Sequence, residues 1–270
     1  MNHTEADLYI IAAGKGSRMG GSLPKALVPI ANGEPNITTT LKQAAGKFKN
    51  IFVVINEQVE EKWFDYFKKQ STDLMSGVVP ISITSGLGDG HAVLSAFLKV
   101  GHLQIPTINH SEDVVIVWGD AFVQYEDTFT EILSKNIWQM STSGVIPAVR
   151  EQNPYVTLLV DPDMKCRSAD FSKYGESHPS GFHDQSLFRF KRESLINALS
   201  ALNCALWKNG RYMTPGNELS LLYAFHYMYN VGDAALVYET DYPTLSFNTP
   251  EEVIAIQQEI CKKWNTLRQS

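Results

Sequence analysis

The chain has 270 residues, 44% of them apolar and 19% charged, enough apolar surface for a buried core and too much for an intrinsically disordered chain. Acidic residues outnumber basic ones, 29 against 23, which argues against a nucleic-acid partner held by a broad basic face but not against a small anion in a local basic pocket. No run approaches the ~20 apolar residues of a membrane-spanning helix, so no membrane partner is expected.

The N-terminal residues Met1–Asp7 carry no basic segment followed by an apolar stretch, so no leader is expected. Short runs rich in Ile, Val and Leu then alternate with segments of helical period, the pattern of βαβ units around a mainly parallel sheet. The expected order is a buried strand at Leu8–Ala12, a helix at Ile37–Ala45, a strand at Ile51–Asn56, a helix at Glu60–Lys69 and a strand at Val79–Thr84. A helix from about His91 to Val100 and the strand Val114–Trp118 follow. Runs this apolar suit central strands covered on both faces.

Beyond residue 141 the rhythm loosens. Gly144–Ala148, Tyr155–Val160 and Gln185–Phe190 read as strands, joined by irregular connections of the kind that recognise substrates. Helices at Glu193–Leu206 and Glu218–Met228, a strand at Ala234–Tyr238 and a helix after Thr249 complete the chain. No linker, charge block or repeat divides it, so one domain over residues 1–270 is expected. Cys166, Cys204 and Cys261 lack any C-x-x-C spacing, so no disulfide framework or zinc knot is expected and a reducing cytoplasm fits.

The first strand runs into Ala13-Gly14-Lys15-Gly16-Ser17-Arg18-Met19-Gly20-Gly21-Ser22-Leu23-Pro24-Lys25. Small residues and glycines let backbone N–H groups approach a phosphate chain closely. The dinucleotide fingerprint G-x-G-x-x-G fails because Met19 stands at its third glycine. The Walker spacing fails because Ser22 stands where lysine is required. What remains is a third kind of loop, whose two cations, Arg18 and Lys25, read either as charges that stabilise a reacting triphosphate or as solvated charges on a flexible Gly-rich surface turn.

Three later motifs carry possible ligand contacts. Leu87-Gly88-Asp89-Gly90-His91-Ala92 is a turn before a helix, read either as a tight connection or as a close backbone approach to a ligand. Val114–Trp118 ends in Gly119-Asp120, and a carboxylate at the end of a central strand faces the crevice where such sheets bind ligands. Asp120 is read as a solvated turn residue or as a metal ligand. In Phe247-Asn248-Thr249-Pro250-Glu251-Glu252, Thr249, Pro250 and Glu252 form a capping box. Asn248 is not needed for that and is left as a polar turn residue or a second metal ligand. Asp161-Pro162-Asp163 matches the D-x-D metal pattern but reads as a turn. The aromatics Tyr223, Phe225, Tyr227 and Tyr229 read as packing residues.

The string Ala12-Ala13-Gly14-x-Gly16-x-Arg18-Met19 with Pro24-Lys25-x-Leu27 resembles the signature of the nucleotidylyltransferases of the sugar-nucleotide pyrophosphorylase superfamily, the MobA-like NTP transferases, and among them is most similar to the N-acetylglucosamine-1-phosphate uridylyltransferase domain. The resemblance implies a Rossmann-like, mainly parallel mixed sheet flanked by helices, of the GT-A-like nucleotide-diphospho-sugar transferase kind. It implies a nucleotide-binding half over about residues 1–140, an acceptor-binding half over about 141–247 and a C-terminal helix at 249–270. It further implies Arg18 and Lys25 as catalytic cations. Ala12, Ala13, Gly14, Lys15, Gly16, Ser17, Leu87, Gly88 and Asp89 are the implied nucleotide contacts, and Mg²⁺ is implied on Asp120 and Asn248.

The family's acceptor segments map onto Tyr155, Asp184 and Glu218, with departures: Val156 stands at a glycine position and Asp184 at an asparagine; in the segment implied to line the nucleobase and ribose, Asp89 stands at a threonine and Ile83 near a glutamine. The implied partners are a nucleoside triphosphate, UTP or CTP, and a phosphorylated small-molecule acceptor. A homo-oligomer is compatible with this. Two other classes stay open: a metal-dependent GT-A glycosyltransferase using Asp161 and Asp163, and a nucleotide-binding sensor without turnover.

Overall fold

The structure is a computed structural model, and it describes residues 6–14, 16, 19–20, 23–84, 86–102, 109–134, 137–138 and 143–267. The parallel half follows from the apolar runs. β1 (Ala6–Ala12) pairs in parallel with β2 (Ile51–Asn56) on one side and with β4 (Asp113–Trp118) on the other, and β3 (Val78–Ile83) extends the sheet beyond β2. β1 and β2 are buried at every residue, as strands covered on both faces must be. Helix α1 (Asn36–Ala44) and helix α2 (Glu60–Lys68) cover one face through Ile37, Leu41 and the fully buried Trp63. Helix α3 (Asp89–His102) covers the other through Val93, Ala96 and Phe97.

The second half adds antiparallel strands to the same sheet. These are β5 (Gly144–Gln152), β6 (Val156–Val160), β7 (Cys166–Phe171), β8 (Ser180–Asp184) and β9 (Leu187–Lys191), in the order β7-β6-β8-β5-β9-β4-β1-β2-β3, with β10 (Ala235–Glu239) parallel to β5. One ten-stranded mixed sheet therefore runs through both halves. Helices α4 (Arg192–Leu206) and α5 (Tyr223–Asn230) pack beside α3, and Phe225 of α5 meets Phe188 and Phe190 in the core. Tyr223 and Tyr227 pack against the same core, as expected, while the Tyr229 hydroxyl donates to Asp161 Oδ2 at 3.3 Å.

Three readings of the second half need correction. β7 and β8 stand where irregular connections were expected: Cys-Arg-Ser-Ala-Asp-Phe has too few apolar residues to read as a strand, and its ladder to β6 supplies the order. The strand expected at Gln185–Phe190 is present as β9 but starts at Leu187: β8 and β9 both run antiparallel to β5, and Gln185 and Ser186, the latter at φ 55°, interrupt the ladder between them. The helix expected from Glu218 begins at Tyr223, because the backbone of residues 219–221 bonds to the turn before α3 instead.

Helix α6 (Pro250–Leu267) closes the chain against the first half. Its Val253 and Ile256 join Ile30, Phe122 and Phe247 in a small separate core, and Gln257 Nε2 donates to the Pro29 carbonyl at 3.1 Å. A two-stranded ribbon, Ala121–Phe122 with Leu245–Ser246, ties the end of β4 to the residues just before α6. Sequence positions more than a hundred residues apart are thereby brought to one place.

Candidate active site

The site forms where β1 and β4 end side by side. The register pairs Ile11 with Trp118, and the Gly119 N–H donates to the Ile11 carbonyl at 2.9 Å, one step beyond the strand. A side chain is not tolerated at Gly119, since a Cβ there would stand 2.9 Å from both Cα and Cβ of Ala12. This close approach puts Asp120 beside the glycine loop that leaves β1. Ala12 and Ala13 are buried and Gly14 is exposed. Gly16 holds φ +62° and its carbonyl accepts the Met19 N–H at 2.9 Å. Lys15, Ser17 and Arg18 lie outside the described residues.

Lys25 enters from the far end of that loop. Pro24 leads into a 3-10 turn at Lys25–Leu27, whose Ala26 and Leu27 are buried, so the turn is anchored by its apolar side and Lys25 faces the site. Its ammonium donates to Asp120 Oδ2 and to Asn248 Oδ1, each at 2.8 Å. The lysine is 16% exposed and the aspartate 25%. A Cβ added at Gly16 would lie 3.7 Å from Lys25 Cγ, so the lysine stem runs along the glycine loop.

Asn248 is held from both sides. Phe247 before it is fully buried and donates its N–H to the Asp120 carbonyl at 3.3 Å. After it the expected capping box is present: Glu252 Oε2 accepts the Asn248 and Thr249 N–H groups, and Thr249 Oγ1 accepts the Glu252 N–H at 3.3 Å. Asp120, Asn248 and Lys25, which the sequence singles out separately, thus converge.

Two residues that sequence reasoning missed support this centre. Asn36, buried at the start of α1, donates from Nδ2 to the carbonyls of Gly119 and Ala121, both at 2.9 Å, and so grips the backbone on either side of Asp120. Gln185, at the break between β8 and β9, accepts the Thr244 N–H at Oε1 (3.0 Å) and the Thr244 hydroxyl at its carbonyl (2.5 Å). The neighbouring Ser186 carbonyl accepts the Trp118 N–H at 3.0 Å. This break in the ladder therefore braces both the Asp120 arm and the Asn248 arm. A composition-based signal exists for neither residue, because each acts on backbone far along the chain.

The turn before α3 is built as a joint between segments. Gly88, at φ +101°, and Gly90 press on the backbone of Leu219–Leu221: a Cβ on Gly88 would lie 2.3 Å from the Leu219 carbonyl oxygen, and one on Gly90 2.7 Å from the Leu221 nitrogen. The Leu87 carbonyl accepts the Leu219 N–H at 2.8 Å, and the Leu219 carbonyl accepts the Gly90 N–H at 2.9 Å. Asp89 Oδ1 accepts the Leu221 N–H at 2.6 Å. Desolvation raises the Asp89 carboxyl to about 6, against the pull of its N–H and hydroxyl donors. The close approach expected of these glycines is thus made to the chain itself, and Asp89 Oδ1 is committed to that joint.

The expected acceptor residues stand apart in character. The Tyr155 ring is 47% exposed and Glu218 is exposed. Asp184 is 6% exposed, its Oδ1 accepts the Ser186 N–H at 2.9 Å, and burial raises its carboxyl above the usual range. Its Oδ1 thereby organises the break between β8 and β9. Asp161 Oδ1 accepts the N–H groups of Asp163 and Lys165 at 3.0 and 2.9 Å, the turn that Asp-Pro-Asp was read to make. Among the described residues no group of three or more His, Cys, Asp or Glu side chains is placed to hold a metal ion, and no helix is long and apolar enough to cross a membrane.

Comparison with known proteins bears on the family and the fold. The profile of the MobA-like NTP transferase domain matches residues 8–161. The bifunctional protein GlmU of Thermotoga sp. is 24% identical over 213 residues, which is 76% of this chain and 42% of that protein. The chain thus spans less than half the length of that curated relative. Among solved structures, UDP-glucose pyrophosphorylase complexed with UDP-glucose superposes with a TM-score of 0.73 at 15% identity, covering 96% of this chain and 98% of that one. HddC from Yersinia pseudotuberculosis complexed with GMP-PN gives 0.63 at 16% identity, covering 94% and 99%. At such identities the structures establish the fold, a mainly parallel sheet flanked by helices.

Proposed function

The chain belongs to the MobA-like NTP transferase domain family, and from that membership we propose that it is a nucleotidyltransferase of the sugar-nucleotide pyrophosphorylase type, which joins a nucleoside triphosphate to a sugar 1-phosphate or similar phosphorylated small molecule and releases pyrophosphate. UTP and CTP are the favoured donors. The observation that carries the reading is the convergence of Lys25, Asp120 and Asn248 beside the glycine loop.

The acceptor phosphate is already ionised. Its oxygen forms a bond to the α-phosphorus as the bond to the β-phosphate oxygen breaks, and the leaving group departs as pyrophosphate, so no protein nucleophile or base is needed. Lys25 neutralises charge that builds at the reacting phosphorus. The backbone of Gly14 and Gly16 cradles the phosphates, with Lys15, Ser17 and Arg18 assigned to the same chain by resemblance. The donor set supports Mg²⁺ on Asp120 and Asn248: one carboxylate oxygen and one amide oxygen reach a common point, hard oxygen donors in the small number that magnesium takes from protein when phosphates and water supply the rest. Bound there, the ion supplies Lewis-acid neutralisation of the phosphate oxygens.

The test is pyrophosphate release from UTP, CTP, dTTP, GTP and ATP, each with Mg²⁺ and a pooled set of sugar 1-phosphates and other phosphorylated small molecules, with Lys25→Ala as control. Release with one nucleotide, absent in the control, supports the reading and names the base. Silence across the panel, with a triphosphate still stabilising the protein against heat, would instead mean an acceptor outside the pool or a nucleotide sensor.

A further inference from the structure

The ammonium of Lys25 occupies the same two oxygens that the proposed function assigns to the divalent cation. Its Nζ is 2.8 Å from Asp120 Oδ2 and 2.8 Å from Asn248 Oδ1. We propose that Lys25 keeps the cation site closed in the nucleotide-free protein and yields it only to an incoming triphosphate, so that the divalent cation enters with the nucleotide rather than ahead of it. This inference rests on the reading of Asp120 and Asn248 as cation ligands.

Three features support it. An ammonium and a magnesium ion both need the lone pairs of these oxygens, and held on one pair of oxygens they would also repel each other. The contact is sheltered, with Lys25 16% and Asp120 25% exposed, so solvent and salt weaken it less than they would a surface pair. The release route is built in as well. Lys25 is fixed by its backbone in the turn after Pro24, with Ala26 and Leu27 buried, while its flexible four-carbon stem lies along the glycine loop near Gly16. A polyphosphate cradled by that loop offers the ammonium new anionic oxygens without moving the turn. Lys25 then passes from a stand-in for the cation to a ligand of the nucleotide.

The experiment is binding of free Mn²⁺ to the full chain without nucleotide, followed by electron paramagnetic resonance at 0.1 and 0.5 M KCl. Wild type is compared with Lys25→Met, Lys25→Arg, Asp120→Asn and the Lys25→Met/Asp120→Asn double variant, each first checked for folding by circular dichroism. The expected result is Mn²⁺ affinity about tenfold higher in Lys25→Met than in wild type at both salt concentrations, a factor suited to removing a partly sheltered ion pair. Lys25→Arg should stay as weak as wild type, since its guanidinium keeps the charge at the carboxylate. Equal affinity in wild type and Lys25→Met overturns the proposal. A gain that disappears at 0.5 M salt overturns it too, because that is a long-range field effect rather than occupancy. A gain that survives Asp120→Asn refutes the reading of Asp120 as a cation ligand, on which the proposal rests. Wild-type binding that is already tight and lost in Asp120→Asn leaves that ligand intact and overturns only the closing of the site by Lys25.

Discussion

The Lys25 ammonium and the Asp120 carboxylate, 95 positions apart in the chain, meet at 2.8 Å where the first and fourth strands end together. Each reaches that point on a separately braced backbone, the lysine on a buried 3-10 turn and the aspartate on a strand end that Gly119 presses against Ala12. Pre-placed charge is what a phosphoryl-transfer site requires, because little else is asked of the protein.

Replacing Lys25 with alanine removes that charge and leaves the buried side of the turn intact. Turnover is expected to fall by about two to three orders of magnitude, the scale seen when one preorganised stabilising group is deleted. The melting temperature should change little, since the pair is a single, partly exposed ion pair. Pyrophosphate release and a thermal melt on the same preparation check both halves, and near-wild-type turnover would remove Lys25 from the catalytic role.

Asn36→Leu tests the grip on the Asp120 backbone. Leucine fills a similar volume but leaves the Gly119 and Ala121 carbonyls without their donor. Each buried acceptor left unpaired costs roughly 1–3 kcal/mol, so a clear loss of stability in urea is expected. Because those carbonyls flank Asp120, the Mg²⁺ concentration for half-maximal activity should rise as well. A destabilised variant with unchanged Mg²⁺ dependence would make Asn36 a packing residue only.

How far the sequence could be read follows from where each element gets its order. β1, β2 and β4 are legible because strands covered on both faces must be apolar nearly throughout, and Leu8–Ala12, Ile51–Asn56 and Val114–Trp118 are. β7 is not, since it lies at the sheet's edge and half its residues face outward or are polar, leaving the ladder to β6 to hold it. The residues of the centre are legible as types: cations beside glycines, an aspartate at a strand end, an asparagine just ahead of a cap. The braces are not. Asn36 bonds carbonyls 83 and 85 positions away, and Gln185 bonds Thr244 across 59 positions. The joint of Gly88, Asp89 and Gly90 with residues 219–221 is likewise invisible locally, and it moves the start of α5 from Glu218 to Tyr223.

Gly119→Ala probes the contact that places Asp120. The added Cβ would meet Ala12 Cα and Cβ at 2.9 Å, and the first of these is backbone that cannot swing aside. Either β1 or β4 must shift by a few tenths of an ångström. Overpacking of this kind costs about 1–3 kcal/mol, and the shift falls on the strand ends that carry the glycine loop and Asp120. A lower melting temperature together with reduced turnover is expected. Full activity would show that the approach of the two strand ends is not needed at this precision.

Asp89 gives a prediction with a defined sign. Desolvation, with a contribution from Glu218, raises its carboxyl to about 6 despite the N–H groups of Leu221 and Gly90 and the Ser220 hydroxyl that favour the charged form. In the unfolded chain an aspartate titrates near 3.9. Between about pH 4 and pH 6 the folded protein therefore binds more protons at this site than the unfolded one, and the contribution of Asp89 to stability falls as pH rises through that window. The full difference is at most about 3 kcal/mol, reduced by the partial exposure of the residue. Asp89→Asn keeps an oxygen for the Leu221 N–H and removes the titration. Urea midpoints measured from pH 4 to 7 should show wild type losing stability relative to the variant as pH rises, with the variant the more stable at pH 7. Parallel curves across that range would mean that the carboxyl is solvated and that the joint between residues 87–91 and 219–221 carries no buried charge.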